Sequence, residues 1–334
     1  VEKRLEEPAY VSPDGKFIVY YKNKHWFCYN NLTRETENVT KELDNRFENE
    51  DFDMPMSTPS YGFGTWLEEG KYFLIHDKYD VWIVVTDDFS ILNATAGDGR
   101  ANNLSLRLRL LDKNKEWYSL KDTLLLQGYN EYTKTMGLYS VTFKVLGAFH
   151  LLSAEKKFNV MGKAEFADKY VFTQESFEEF PDLWVSDHYF KNAVKLSNAN
   201  PQISDYEWGS TQIVRWKNSR GDSLDGFIIK PYGYDPQKRY PVYVYYYERM
   251  SDRTYNFQTP MITHRPVVQV YNSSGYVMFI PDIKYYIGNP GFDALDAITT
   301  GAKKLIDIGI ADSNRFCIQR SEERRVGKEC RSRW

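Results

Sequence analysis

Short apolar runs separated by polar turns fill the first 200 residues. Lys16-Phe17-Ile18-Val19-Tyr20, Lys71-Tyr72-Phe73-Leu74-Ile75, Thr123-Leu124-Leu125-Leu126 and Lys169-Tyr170-Val171-Phe172 have the length of strands and are flanked by turn residues. Each is followed, after a polar turn, by a second strand centred on an aromatic: Trp26, Trp82, Tyr139 and Trp184. These anchors fall 56, 57 and 45 residues apart, near the roughly 40–50 residues of a four-stranded propeller blade. Ser12-Pro13-Asp14-Gly15 opens the first copy with a turn in which Pro fixes φ and Gly supplies φ > 0. Asn38-Val39-Thr40, Asn93-Ala94-Thr95 and Lys195-Leu196-Ser197 close three of the copies. The repeat predicts successive sheets over residues 1–200, the C-terminal blades of a partial β-propeller. A β-sandwich of unrelated strands is the alternative.

After Asn200-Pro201 the pattern changes. Gln212 to Trp216 and Leu224 to Lys230 flank the polar stretch Asn218-Ser219-Arg220-Gly221-Asp222, a hairpin signal. Strands follow at Pro241 to Tyr247 and at Gly275 to Ile280. Then comes a helix from about Phe292 to Ile308, with Phe292, Leu295, Ile298, Ala302 and Leu305 on one face. Asn289-Pro290 marks its start and Gly309 its end. Asp312-Ser313-Asn314 turns into a last strand, Arg315 to Gln319. Hairpin, strand, connection, strand, helix, strand is an α/β order, because parallel neighbours need crossovers.

Composition narrows the classes of partner. The chain of 334 residues is 42% hydrophobic and 27% charged, ordinary for a folded protein of two domains. Its 26 tyrosines and 16% aromatic content agree with a β-rich fold. The formal charge is -3, and setting aside the six basic and three acidic residues of the last 15 leaves -6, so nucleic acid is not an expected partner. No stretch approaches the roughly 18 apolar residues of a membrane span. Cys28 and Cys317 are far apart and lack metal-ligand spacing, so neither a disulfide framework, a zinc site nor any other cofactor is expected. The chain opens on Val1 without an apolar leader, an expected cut end from which compartment is not read. The sequons at Asn31, Asn38, Asn93 and Asn103 bear on surface loops only if the protein is secreted by a glycosylating host.

A propeller followed by this α/β opening resembles the prolyl oligopeptidase family of serine peptidases, which includes dipeptidyl peptidase IV. The likeness extends to large bacterial members of that family. The residues that carry it are Phe180-Pro181-Asp182-Leu183-Trp184, Lys195-Leu196-Ser197-Asn198, Asp225-Gly226, Lys230-Pro231 and Lys238-Arg239-Tyr240-Pro241. Pro281-Asp282 and Asp312 with Arg315 complete the set, so the resemblance spans essentially residues 1–319. It implies that residues 201–319 are the N-terminal half of an α/β-hydrolase domain and that the intact gene product hydrolyses peptides by a Ser-Asp-His mechanism. It also implies a Gly-x-Ser-x-Gly-Gly elbow directly after Gln319. Arg320-Ser321-Glu322 stands there instead, and Ser321 lacks the glycines of that turn. The register from Tyr240-Pro241 implies that Tyr247 matches the family's oxyanion-stabilising tyrosine. The alternative is that Tyr243, Tyr245, Tyr246 and Tyr247 are strand aromatics. The small Gly-Pro that follows this tyrosine in the family is replaced here by Arg249-Met250.

Other candidates are weaker. His264 precedes the nucleophile position, which the family's order of residues does not allow for the base. Glu248, Arg249 and Arg253 are charged candidates for holding a peptide terminus. Neither Glu178-Glu179 nor Glu6-Glu7 is placed like the acidic pair with which dipeptidyl peptidases grip an amino terminus. Residues 320–334 resemble the in-frame translation of a sequencing adapter and are expected to be a scar, leaving the chain without a triad and inactive. A non-catalytic propeller module that binds peptide or glycan, and an esterase or acylaminoacyl hydrolase on the same fold, are the competing readings. The family likeness suggests an exported bacterial protein.

Overall fold

The computed structural model describes residues 5–262 and 265–319; His264, Ser321 and the whole 320–334 tail lie outside the described residues. The described residues form two compact units, 5–173 with 183–197, and 174–182 with 198–319.

The first unit holds four sheets. Strands β1 (Tyr10–Val11), β2 (Phe17–Lys22), β3 (His25–Asn30) and β4 (Thr36–Asn38) make the first, in chain order. The second is the meander β5 (Phe63–Leu67), β6 (Tyr72–His76), β7 (Val81–Val85) and β8 (Ile91–Asn93). After the short helix α1 (Asp98–Ala101) and β9 (Leu104–Leu108), β10 (Trp117–Tyr118) returns to pair parallel with β5 at the edge of that second sheet. β11 (Leu124–Asn130), β12 (Met136–Val141) and β13 (Ala148–Ala154) join β9 in the third sheet, ordered β13-β12-β11-β9. The fourth is β14 (Lys157–Lys163), β15 (Tyr170–Glu175), β16 (Asp182–Ser186) and β17 (Val194–Lys195). The four repeated runs are therefore β2, β6, β11 and β15, and in each sheet the aromatic-centred strand lies beside its run.

Period two explains how these sheets pack. Phe73 and Ile75 of β6 and Trp82 and Val84 of β7 share one core with Val19, Trp26 and Cys28 of the first sheet. Their neighbours Leu74, Val81 and Ile83 point the other way, into a core with Leu106, Leu124 and Leu126 of the third sheet. A strand buried on both faces reads as a continuous apolar run, and Val81–Val85 does. Leu138 of β12 meets Phe158, Val160 and Phe172 of the fourth sheet in a further core.

The closing turns share one device. The Thr40 hydroxyl accepts from the Trp26 amide at 3.1 Å, the Thr95 hydroxyl from Val81 at 3.1 Å and the Ser197 hydroxyl from Leu183 at 2.9 Å. In each sheet the residue before that hydroxyl returns a backbone bond to the same strand: Val39 to Trp26, Ala94 to Val81 and Leu196 to Leu183. The outer strand is thus fastened where its own ladder is shortest.

The second unit is built on one mixed sheet, β18 (Ser210–Lys217), β19 (Ser223–Lys230), β20 (Tyr240–Tyr245), β21 (Val277–Pro281) and β22 (Ala311–Gln319), ordered β18-β19-β21-β20-β22. β18 and β19 form the expected hairpin, and β20 pairs parallel with both β21 and β22. Helix α2 (Val268–Ser273) lies in the β20–β21 crossover and α3 (Pro290–Asp307) in the β21–β22 crossover. They cover opposite faces: Val242, Val244, Val277 and Phe279 pack with Ala294, Ala297 and Leu305 of α3, while Phe227, Ile229, Tyr245, Met278 and Ile280 pack with Val268 and Tyr271 of α2. Phe177, from the turn that follows β15, belongs to this second core.

Two sequence expectations need correction. The third strand ends at Tyr245, not Tyr247, and the last begins at Ala311 rather than Arg315. The buried face of α3 is Asp293, Ala294, Ala297, Gly301 and Leu305, whereas Phe292 and Leu295 are 74% and 53% exposed. The reason is closeness to the sheet. A Cβ on Gly301 would stand 2.7 Å from the Phe279 ring, so at this point of the helix no side chain fits against β21.

Candidate functional site at the carboxyl end of β20

The order of the parallel strands locates the site. β20 lies between β21 and β22, and the chain reaches its two neighbours by crossovers on opposite faces. In open α/β sheets such a switch leaves a crevice beyond the carboxyl end of the strand at which the order reverses. Here that end is Tyr245-Tyr246-Tyr247, with Pro281-Asp282 and Gln319 ending the strands on either side. Tyr245 is the register partner of Gln319.

The tyrosine run alternates. Tyr243, Tyr245 and Tyr247 belong to the α2 face and Tyr246 to the α3 face. Tyr245 and Tyr247 meet edge to face with ring centroids 5.8 Å apart, so part of the Tyr247 surface is strand packing. Tyr243 donates its hydroxyl to the side-chain oxygen of Gln319 and lies against Tyr271, centroids 4.0 Å apart. Burial, reinforced by the hydrogen bond with Tyr271, holds the Tyr243 phenol above its ordinary range, so it remains a neutral donor at physiological pH.

The segment after Tyr247 is fastened by the segment after β21. The Tyr285 hydroxyl donates to the Tyr247 carbonyl at 2.8 Å, and the Ile283 amide donates to the Glu248 carbonyl at 2.7 Å. One oxygen of the buried Asp282 carboxylate accepts from the Met250 amide at 2.6 Å and the Ser251 amide at 2.8 Å, and its other oxygen accepts the Ser251 hydroxyl. The Asp282 amide in turn donates to the Asp225 carbonyl at 2.9 Å. Further along, Asp293 of α3 accepts from Arg220 at 2.8 Å and from the Tyr286 amide at 2.6 Å, while Asp222 accepts from Lys284 at 2.7 Å and from the Tyr286 hydroxyl at 2.9 Å. The Lys284 ammonium, as hydrogen-bond donor, is the main reason the Asp222 carboxyl sits below the usual carboxylate range.

Of the other sequence candidates, Glu248 and Arg249 are exposed just past Tyr247. Arg253 lies in the single turn Ser251–Arg253, 3.9 Å from its neighbour Asp252. Glu178 and Glu179 cap a turn through their amides, both donated to the Ser176 hydroxyl. Glu6 and Glu7 accept from Ser57 and Ser60 in the first unit. In the sequence Asp282 stands out only as part of Pro281-Asp282. The signal for it is a carboxylate placed directly after an apolar strand, where a neighbouring turn has amides to satisfy.

No protein-family model matches the chain, and no curated protein matches it either. Solved structures do. Over 93% of its length the chain is similar to a protein from Bacteroides ovatus described as a dipeptidyl aminopeptidase IV, with 14% identity, a TM-score of 0.62 and 47% of that structure covered. A prolyl endopeptidase structure matches at 13% identity and TM-score 0.59, with 93% of the chain and 44% of that structure covered. Prolyl oligopeptidase B from Galerina marginata matches at 11% and 0.60, with the same two shares. The fold is thus shared with peptidases of the prolyl oligopeptidase group, and the chain spans less than half the length of each.

Proposed function

We propose that the chain is part of a serine peptidase of the prolyl oligopeptidase type: the last blades of a β-propeller, then the first half of an α/β-hydrolase domain up to the strand that presents the nucleophile. The observation that carries this reading is the switch in strand order at β20, whose carboxyl end bears Tyr247 and lies beside the end of β22 at Gln319. The four stacked sheets and the shared fold support it.

In this reading a peptide enters beyond the ends of β20 and β22. Tyr247 donates its hydroxyl to the oxyanion that forms when the carbonyl is attacked, a contribution worth several kcal/mol in an assembled site. The nucleophile, its base and the orienting carboxylate are encoded downstream of the Gln319 codon, so this chain alone does not hydrolyse peptides. Two measurements test the proposal. Genomic sequence after the Gln319 codon should read Gly-x-Ser-x-Gly-Gly, with Asp and His further on; a stop codon there would instead support a non-catalytic binding module. The chain itself should show neither cleavage of Pro-containing chromogenic peptides nor labelling by a fluorophosphonate, and labelling at any serine would overturn the placement of the nucleophile beyond Gln319.

A further inference from the structure

We propose that Asp282 is a positioning residue for Tyr247, an inference that rests on the reading of Tyr247 given above. The resemblance leads one to expect a small Gly-Pro after this tyrosine, where the chain has Arg249-Met250 instead. A proline fixes its own φ and offers no amide. Met250 has both a free φ and an amide to satisfy, and Asp282 deals with both. Its carboxylate takes the Met250 and Ser251 amides on one oxygen and the Ser251 hydroxyl on the other. All three residues are buried, Asp282 to 8% exposure, Met250 to 8% and Ser251 to 3%, so these charge-assisted bonds are shielded from water. A buried turn held by a carboxylate has one conformation. The bonds from the Ile283 amide to the Glu248 carbonyl and from the Tyr285 hydroxyl to the Tyr247 carbonyl then carry that fixed geometry back to the tyrosine. Asp282 itself is anchored to β19 through the Asp225 carbonyl. Gly226 beside that carbonyl could not take a larger side chain, because a Cβ there would lie 2.8 Å from the Ile280 carbonyl. The turn after Tyr247 is thereby referenced to the sheet.

The test uses the chain as it stands, labelled with 13C at the tyrosine ring carbons and 15N at the backbone, and Tyr247→Phe to assign the Tyr247 signal. In Asp282→Ala the Met250 and Ser251 amides should exchange at least about tenfold faster, and the Tyr247 ring signal should shift, while the β20 and β22 amides stay protected. Ser251→Ala, which keeps the carboxylate and its bonds from the Met250 and Ser251 amides, should show a smaller change in the same direction and guards against a variant that does not fold. An unmoved Tyr247 signal in Asp282→Ala, with the amides deprotected, would reduce Asp282 to a local structural role and overturn the proposal. So would continued protection of both amides. A failure of the peptidase reading shows elsewhere, in the codons after Gln319, and leaves these spectra unaffected.

Discussion

His76 shows how a single residue sets the solution behaviour of the first unit. It closes β6 and is 5% exposed, with Nδ1 lacking a hydrogen-bond partner among the described residues. Burial, with a smaller contribution from the nearby Arg107 guanidinium, pushes its pKa down to about 3. The folded state therefore holds a neutral imidazole where the unfolded chain holds one that protonates near pH 6.5. Stability from this site is complete above about pH 6.5 and is lost as the pH falls toward 3, by at most about 1.4 kcal/mol per pH unit. His76→Leu removes the titration and the unpaired nitrogen together. Urea midpoints measured between pH 7 and 4 should fall less steeply in the variant than in the parent; equal slopes would show that His76 is not held neutral. Nothing in Lys71-Tyr72-Phe73-Leu74-Ile75-His76 marks the histidine as buried until the third sheet is packed against it. The candidate site follows the same rule. Tyr247 enters as a candidate through its place two residues past the end of a strand, whereas its bond to Tyr285 and the carboxylate that holds the turn after it come from residues 31 to 38 positions away that only the crossover brings near.

The strands are legible in the sequence where the face of the helix is not, and the reason is geometric. A strand residue has two directions, and here both are apolar, so a run such as Val81–Val85 identifies itself whichever sheet it meets. The closing hydroxyls of Thr40, Thr95 and Ser197 mark the same ends in the sequence and in the fold. A helix can rotate about its axis, and hydrophobicity alone selects the stripe with Phe292 and Leu295. Proximity selects another, since the Phe279 and Trp216 rings leave no room for a side chain at Gly301. Gly301→Ala separates the two accounts. Helix propensity alone would make it stabilising by about 1 kcal/mol, while overpacking against Phe279 should make it destabilising by roughly 1–3 kcal/mol. Leu295→Ala should change stability by no more than about 0.5 kcal/mol. Chemical denaturation of both variants decides, and a stabilised Gly301→Ala would contradict the close packing.

For the whole molecule, the consequential feature is where each sheet stops. The second and third sheets are covered on both faces by their neighbours, so their order is protected. The mixed sheet of the second unit ends on β22, and among the described residues no strand pairs with its outer edge. That strand is long at nine residues, with Cys317 exposed and Ile318 48% exposed. A long edge with unpaired amides and apolar side chains is a template for another chain. The last described residue of that strand, Gln319, is the register partner of Tyr245, so the edge and the candidate site lie at the same end of the sheet. The chain should therefore self-associate with rising concentration, and Ile318→Lys, which puts a charge on that edge without entering either core, should shift it toward monomer at equal concentration. Sedimentation velocity with reductant present, to exclude a Cys317 cross-link, makes the comparison. A parent chain that stays monomeric across the range would mean that the β22 edge is covered.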